Sequence, residues 1–140
     1  MKRIVLISCV SKKLGYRTKA EALYFSPLFL MALAFARSLR PDKIFILSAK
    51  YGLVDLDQEI EPYEQTLNTM SGQEIKRWAE GVIKQMEGKV DCSQDEAIFL
   101  AGDKYRKHLL PNFRHAQVPL KNLRIGEQLG FLKRALADAK

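Results

Sequence analysis

Three short apolar runs constrain the fold of this chain more than any other feature. Arg3–Cys9, Lys43–Ser48 and Glu96–Ala101 are dense in Ile, Val, Leu and Phe, with no polar residue alternating through their centres. Continuous apolar runs of this length suit strands that are covered on both faces. Helical signals lie between them. Ser26 followed by Pro27 reads as an N-cap and first helical residue, opening a helix through Phe29–Ala36 that stops before Pro41. Ser71 and Glu74 have the spacing of a capping box. The helix they start places Ile75, Trp78, Ala79, Val82, Ile83 and Met86 on one face and ends near Gly88, so Trp78 reads as a core residue.

A short helix over Asp103–Leu110 closes at Pro111, and Ala116–Leu120 reads as a fourth, shorter strand. Gly126–Ala139 reads as a terminal helix. Val10–Leu23 reads as a basic loop, and Ser48–Thr66 as a long loop with at most a helical turn in it. Strands alternating with helices predict a three-layer α/β/α domain over residues 1–140, with a short, mainly parallel sheet of about four strands.

A chain of 140 residues can bury a sizeable core without staples. Its apolar stretches fall short of the ~20 residues that span a bilayer. The N-terminal run is followed at once by Ser11, Lys12 and Lys13, so it reads as a strand and not as a secretory signal. A cytoplasmic protein without membrane association is expected. Cys9 and Cys92 are the only cysteines, and neither they nor His108 and His115 have metal-ligand spacing, so no metal or cofactor is expected. The formal charge of +7 favours a polyanionic partner, of which nucleic acid or a nucleotide is the commonest.

Ligands of open α/β sheets bind beyond the strand carboxyl ends. Those ends carry Ser8–Lys13, Ser48–Gly52 and Ala101–Arg106. Ser8 and Lys12 can cradle a phosphate or merely form a solvated turn, but neither GxxxxGK[ST] nor GxGxxG is present. Cys9 has no evident base partner in the sequence and reads as a small buried thiol. Tyr51 can stack on a base or pack beneath its loop, and Lys50 can bind phosphate or act as an amine nucleophile. Pro62 restrains Glu61 toward extended backbone. A carboxylate held in this way can activate water or stabilise an oxocarbenium-like centre, or it can pin the loop through a salt bridge. Asp55, Asp57 and Glu59 lack that restraint and are expected to face solvent. Tyr105 and Arg106 complete the candidate set.

The segment Ser48–Leu53, then Glu61–Tyr63 and Thr66–Asn68, resembles an uncharacterised bacterial family of small domains carrying this pair of motifs. Ser8, Cys9 and Lys12, Gly102–Arg106 and Ile125–Leu129 fit the same family, so the likeness spans nearly the whole chain. The motif spacing also resembles the YaaA peroxide-stress family, which implies a core like that of uracil-DNA glycosylases and an association with DNA. The resemblance implies a base pocket built on Tyr51, Glu61 and Tyr63. The water-activating Asp motif and the His-Pro-Ser motif of uracil-DNA glycosylases are absent, so their activity does not transfer with the fold. The expected function is binding of a nucleobase or nucleic acid, with cleavage of an N-glycosidic bond at Glu61 as its catalytic form. The alternative is a non-catalytic nucleic-acid-binding or stress-protection module.

Overall fold

The computed structural model describes residues 1–138. Strand β1 (Arg3–Ser8) lies at the centre of a five-stranded sheet, between β3 (Lys43–Ser48) and β6 (Glu96–Leu100), and runs parallel to both. Its register sets Leu6 directly between Phe45 and Phe99. Ile4, Val5, Leu6 and Ile7 are all buried. Successive side chains point to opposite faces of a strand, so both faces of β1 are covered. That is why its sequence reads as an unbroken apolar run.

The sheet departs from expectation at its edges. The segment after β3 turns back at once as β4 (Gly52–Asp55), antiparallel to β3, and so the long loop expected over Ser48–Thr66 begins as a hairpin. Gly52 takes φ +74°, a left-handed conformation that glycine adopts without a Cβ clash. Farther on, β5 (Glu59–Ile60) pairs antiparallel with β2 (Thr18–Lys19), inside the segment expected to be a plain basic loop. That segment also contains the short helix α1 (Ala20–Leu23). This ladder of two residues comes from tertiary pairing, not from local propensity. On the other side, β7 (His115–Gln117) runs parallel to β6, one residue ahead of the strand expected from Ala116. The fold is therefore α/β with a mixed five-stranded sheet, larger than the four strands anticipated.

The helices follow their capping signals. Helix α2 (Pro27–Ser38) starts at Ser26, whose Oγ accepts the Phe29 N–H at 3.1 Å. Helix α3 (Gly72–Met86) has the full capping box, with Ser71 and Glu74 exchanging hydrogen bonds at 3.0 and 3.2 Å. It packs against β4 and buries Ile75, Ala79, Val82 and Met86. Gln85, on its last turn, accepts the Leu53 N–H and donates to the Tyr51 carbonyl, clamping the β3–β4 hairpin. Helix α4 (Asp103–Arg106) is shorter than expected and gives way to a 3-10 turn over Leu110–Asn112. Helix α5 (Ile125–Asp138) lies on α2, where Phe131 meets Phe35 edge-on. The expected last residue of that helix, Ala139, lies outside the described residues.

Away from the strand carboxyl ends, buried Asp95 accepts the Lys2 and Asp91 N–H groups, each at 2.9 Å. Burial alone would raise its pKa, but the Asp91 and Lys2 N–H donors outweigh it and hold the carboxyl below its ordinary value of 3.8. A depressed folded pKa gives stability that is present above the unfolded value and lost as pH falls through the folded one. Asp95→Asn is expected to cost about 2 kcal/mol near neutrality, the scale of hydrogen bonds to a charged acceptor. It should also reduce the loss of stability below about pH 4. Urea unfolding of both proteins at several pH values measures the two effects.

Candidate ligand site at the strand carboxyl ends

The strand order determines where a crevice opens. From β1 the chain crosses to β3 on one side and later to β6 on the other, so connections leave in opposite directions between β1 and β6. A switch of this kind leaves a gap beyond the carboxyl ends of the two strands. A cleft of about 400 Å³ occupies that position. Ser8 and Cys9 border it from the end of β1, and Ala101 and Gly102 from the end of β6. Phe29 and Ala32 of α2, with Leu120, give it an apolar wall. Asn68, Lys104 and Arg106 supply polar and cationic groups, and Asp103 the one carboxylate among the lining residues.

Arg106 is anchored, with Nη1 donating to the Ala101 carbonyl at 2.7 Å and Nη2 lying 3.9 Å from the Asp103 carboxylate. Most of its side chain is buried, so its cation is fixed in direction. Lys104 Nζ reaches the Asn68 carbonyl at 3.5 Å. Tyr105 stands behind them with its ring edge-on to Trp78, the centroids 5.6 Å apart. Its hydroxyl accepts the Cys9 thiol hydrogen at a sulfur–oxygen distance of 3.4 Å. Burial, followed by the neighbouring Cys9 thiol, pushes the Tyr105 phenol well above its ordinary range and keeps it protonated.

A second polar cluster lies beside the cleft, at the end of β3. Ser48 is fully buried. It donates to Tyr63 Oη at 2.8 Å and accepts the Lys50 and Tyr51 N–H groups, while its carbonyl accepts the Trp78 indole N–H at 2.9 Å. The Tyr63 and Tyr24 hydroxyls share a hydrogen bond of 2.5 Å. Burial drives both phenols far above the ordinary tyrosine range, so they remain neutral. Lys13 Nζ sits 4.5 Å from the centroid of the Tyr63 ring, a cation–π contact at the mouth of this network.

Of the residues singled out from sequence, Ser8, Tyr105 and Arg106 line the cleft together. Tyr63 is buried in the adjoining hydroxyl network, where it packs edge-on against Tyr51. The Tyr51 hydroxyl accepts the Glu61 N–H at 3.3 Å. Lys50 is exposed, with its ammonium 5.2 Å from the Tyr51 ring centroid, and Lys12 is exposed too. Glu61 does not join the lining of the cleft. It is exposed, and its carboxylate lies 3.7 Å from Arg17, which also reaches Glu59 at 3.7 Å. The site expected at the strand carboxyl ends is thus divided: Ser8, Tyr105 and Arg106 line the cleft, while the β2–β5 pairing carries Glu61 toward the Arg17 side.

Sequence reasoning placed Lys13, Ser48, Asn68, Asp103 and Lys104 within strand-end or motif segments without choosing them as site residues, and passed over Tyr24. Lys13 stands one turn's length after Cys9, and Asn68 falls within the segment that carries the family likeness. Nothing local singles out Tyr24, which meets Tyr63 only through the tertiary fold. Among the described residues, no group of three His, Cys, Asp or Glu side chains is placed to hold a metal ion. No described helix is long and apolar enough to cross a membrane. A larger groove of about 590 Å³ runs along α3 past Lys76, Lys84 and His108, away from the strand ends and lined by none of the candidate site residues.

No curated protein and no solved structure matches the chain. A family model matches residues 4–134, and the chain belongs to that family, the family of unknown function DUF6884.

Proposed function

We propose that this chain binds a nucleotide, free or within a nucleic acid, in the cleft between the ends of β1 and β6. The observation that carries this reading is the pairing of an apolar wall with an anchored guanidinium at a topological switch point. A base and sugar can lie against Phe29, Ala32 and Leu120, while Arg106 and Lys104 face a phosphate. The net charge of +7 supports a polyanionic ligand. A three-layer arrangement, and kinship with the YaaA and uracil-DNA glycosylase-like folds, belong to the same proposal, as does the role of the chain as a single nucleic-acid-binding domain.

Trp78 is the only tryptophan, and its contact with Tyr105 makes its fluorescence a reporter of the cleft. Titration with nucleoside monophosphates and short DNA and RNA oligonucleotides should give saturable changes. Affinity for the oligonucleotides should fall at least about tenfold between roughly 50 and 200 mM salt, because phosphate contacts release counterions. A fluorescence signal that never saturates, or binding indifferent to salt, contradicts the reading.

Asp103 supports a second, catalytic reading, in which the ligand's N-glycosidic bond is cleaved. It is the lining carboxylate, whereas Glu61 must first leave Arg17 to reach a ligand there. Release of free base, assayed with Asp103→Asn and Glu61→Gln, distinguishes the two carboxylates. No release from a broad panel of nucleotides and modified DNA and RNA restricts the chain to binding.

A further inference from the structure

The exposed apolar side chains of this chain follow a path from the cleft to the segment that leaves β1. Apart from Met1, the exposed large apolar residues among those described are Tyr16, Phe25, Leu30 and Ile125. Ile125 lines the cleft itself. Leu30 follows Leu28 and Phe29 of α2, which line it too. Phe25 stands just before that helix, and its N–H donates to the Lys12 carbonyl at 3.2 Å. Tyr16 lies farther along the same segment as Lys12, which carries no acid between Ser8 and Ala20. Single exposed apolar groups are ordinary, but a set of them beside a cleft and among cations marks an interaction surface.

The segment is also held in place. Lys13 forms an antiparallel bridge with Tyr24, the Leu14 N–H bonds the Leu23 carbonyl at 2.9 Å, and Thr18 pairs with Ile60 of β5. The backbone is thus fixed on both sides of Tyr16, whose ring is 63% exposed and stacks on no other aromatic ring among the described residues. A ring presented on a fixed backbone loses little freedom when a ligand covers it. Arg17 is engaged by Glu59 and Glu61, whereas Lys12 makes no ion pair among the described residues.

We infer that Phe25 and Tyr16, with Lys12 between them in the fold's connections, carry a single-stranded nucleic acid out of the cleft. This rests on the nucleotide reading, in which the cleft takes one nucleotide of the strand. The next bases stack on the two rings, and the Lys12 ammonium meets the backbone phosphate. Bases in a duplex are already stacked on one another, and only unpaired bases offer a free face to a side-chain ring. The cleft, at about 400 Å³, is sized for a small molecule and not for a double helix. Stacking accepts any base, so the ligand class is single-stranded DNA or RNA with little sequence preference.

The test is fluorescence anisotropy with labelled DNA and RNA strands of about eight nucleotides, their duplexes, and a nucleoside monophosphate as competitor. A single strand should bind at least about tenfold more tightly than its duplex or the monophosphate. Tyr16→Ala and Phe25→Ala should each weaken the strand about fivefold or more and leave monophosphate affinity within about twofold. Tyr16→Phe should bind like the wild type, because the ring and not the hydroxyl makes the contact. Both side chains are exposed, so thermal melts of the variants should match that of the wild type. Duplex bound as tightly as single strand, or unchanged strand affinity in both alanine variants, overturns the inference. So does self-association of the wild type that Phe25→Ala abolishes while no strand binds, since the surface would then serve a second copy. A monophosphate that binds while the strand gains nothing defeats this inference and leaves the cleft reading standing. Strand binding through Tyr16 and Phe25 with no monophosphate binding does the reverse.

Discussion

Replacing Phe99 with alanine should destabilise the chain by about 3–5 kcal/mol, a large share of the roughly 5–15 kcal/mol that holds a domain folded. Phe99 is fully buried and shares its row of the sheet with Leu6 and Phe45. Its ring also meets Phe113 edge-on at 5.6 Å, linking β6 to the segment that leads into β7. Neighbours on a close-packed sheet relax only partly into the space vacated, so the cost combines lost apolar burial with a cavity. Urea unfolding should show a lower midpoint with little change in slope. A shift equivalent to less than about 1 kcal/mol would mean that the row is not the centre of the core.

The largest functional effect is expected at Arg106. Arg106→Glu places a negative charge beside Asp103 where the phosphate is proposed to lie, and should weaken nucleotide binding at least about tenfold, or ~1.4 kcal/mol. Arg106→Lys keeps the charge but loses the fixed direction provided by the Ala101 contact, so an intermediate loss is expected. Lys12 and Lys50 are exposed outside the cleft and provide a contrast. Reversing their charge should affect mononucleotides little and oligonucleotides more, because only a longer polyanion reaches them. Titrations of all four variants, each checked for a wild-type-like thermal melt, give the comparison. Equal losses for Arg106→Glu and Lys50→Glu with a mononucleotide would remove the cleft's special status.

What was legible in the sequence followed from local physics. The runs that became β1, β3 and β6 announced themselves because both faces of those strands are buried. Ser26 and Ser71 gave the starts of α2 and α3 because capping acts within one turn. Strand β4 was missed because Gly52–Asp55 is short and pairs at an edge, where the partner β3 and the Gln85 clamp do the organising. The two-residue ladder of β2 and β5 leaves even less local trace. The site divides along the same line. Ser8, Tyr105 and Arg106 could be placed from the strand-end rule, since parallel strands deliver their ends to one rim. Glu61 could not, because Pro62 limits its backbone conformation but does not determine which side the loop takes. That choice belongs to Arg17 and the β2–β5 pairing. The Tyr24–Tyr63–Ser48 network joins three separate segments, and no spacing encodes it.

The cleft between β1 and β6 is where we propose that this chain takes a phosphate-bearing ligand. Amide chemical shifts followed during titration with a nucleoside monophosphate test it most directly. Saturable shifts are expected at Ser8–Cys9, Asn68 and Gly102–Arg106, with the Trp78 indole N–H responding through Tyr105. Shifts centred on Lys76, Lys84 and His108 along the α3 groove, or none that saturate, would contradict it.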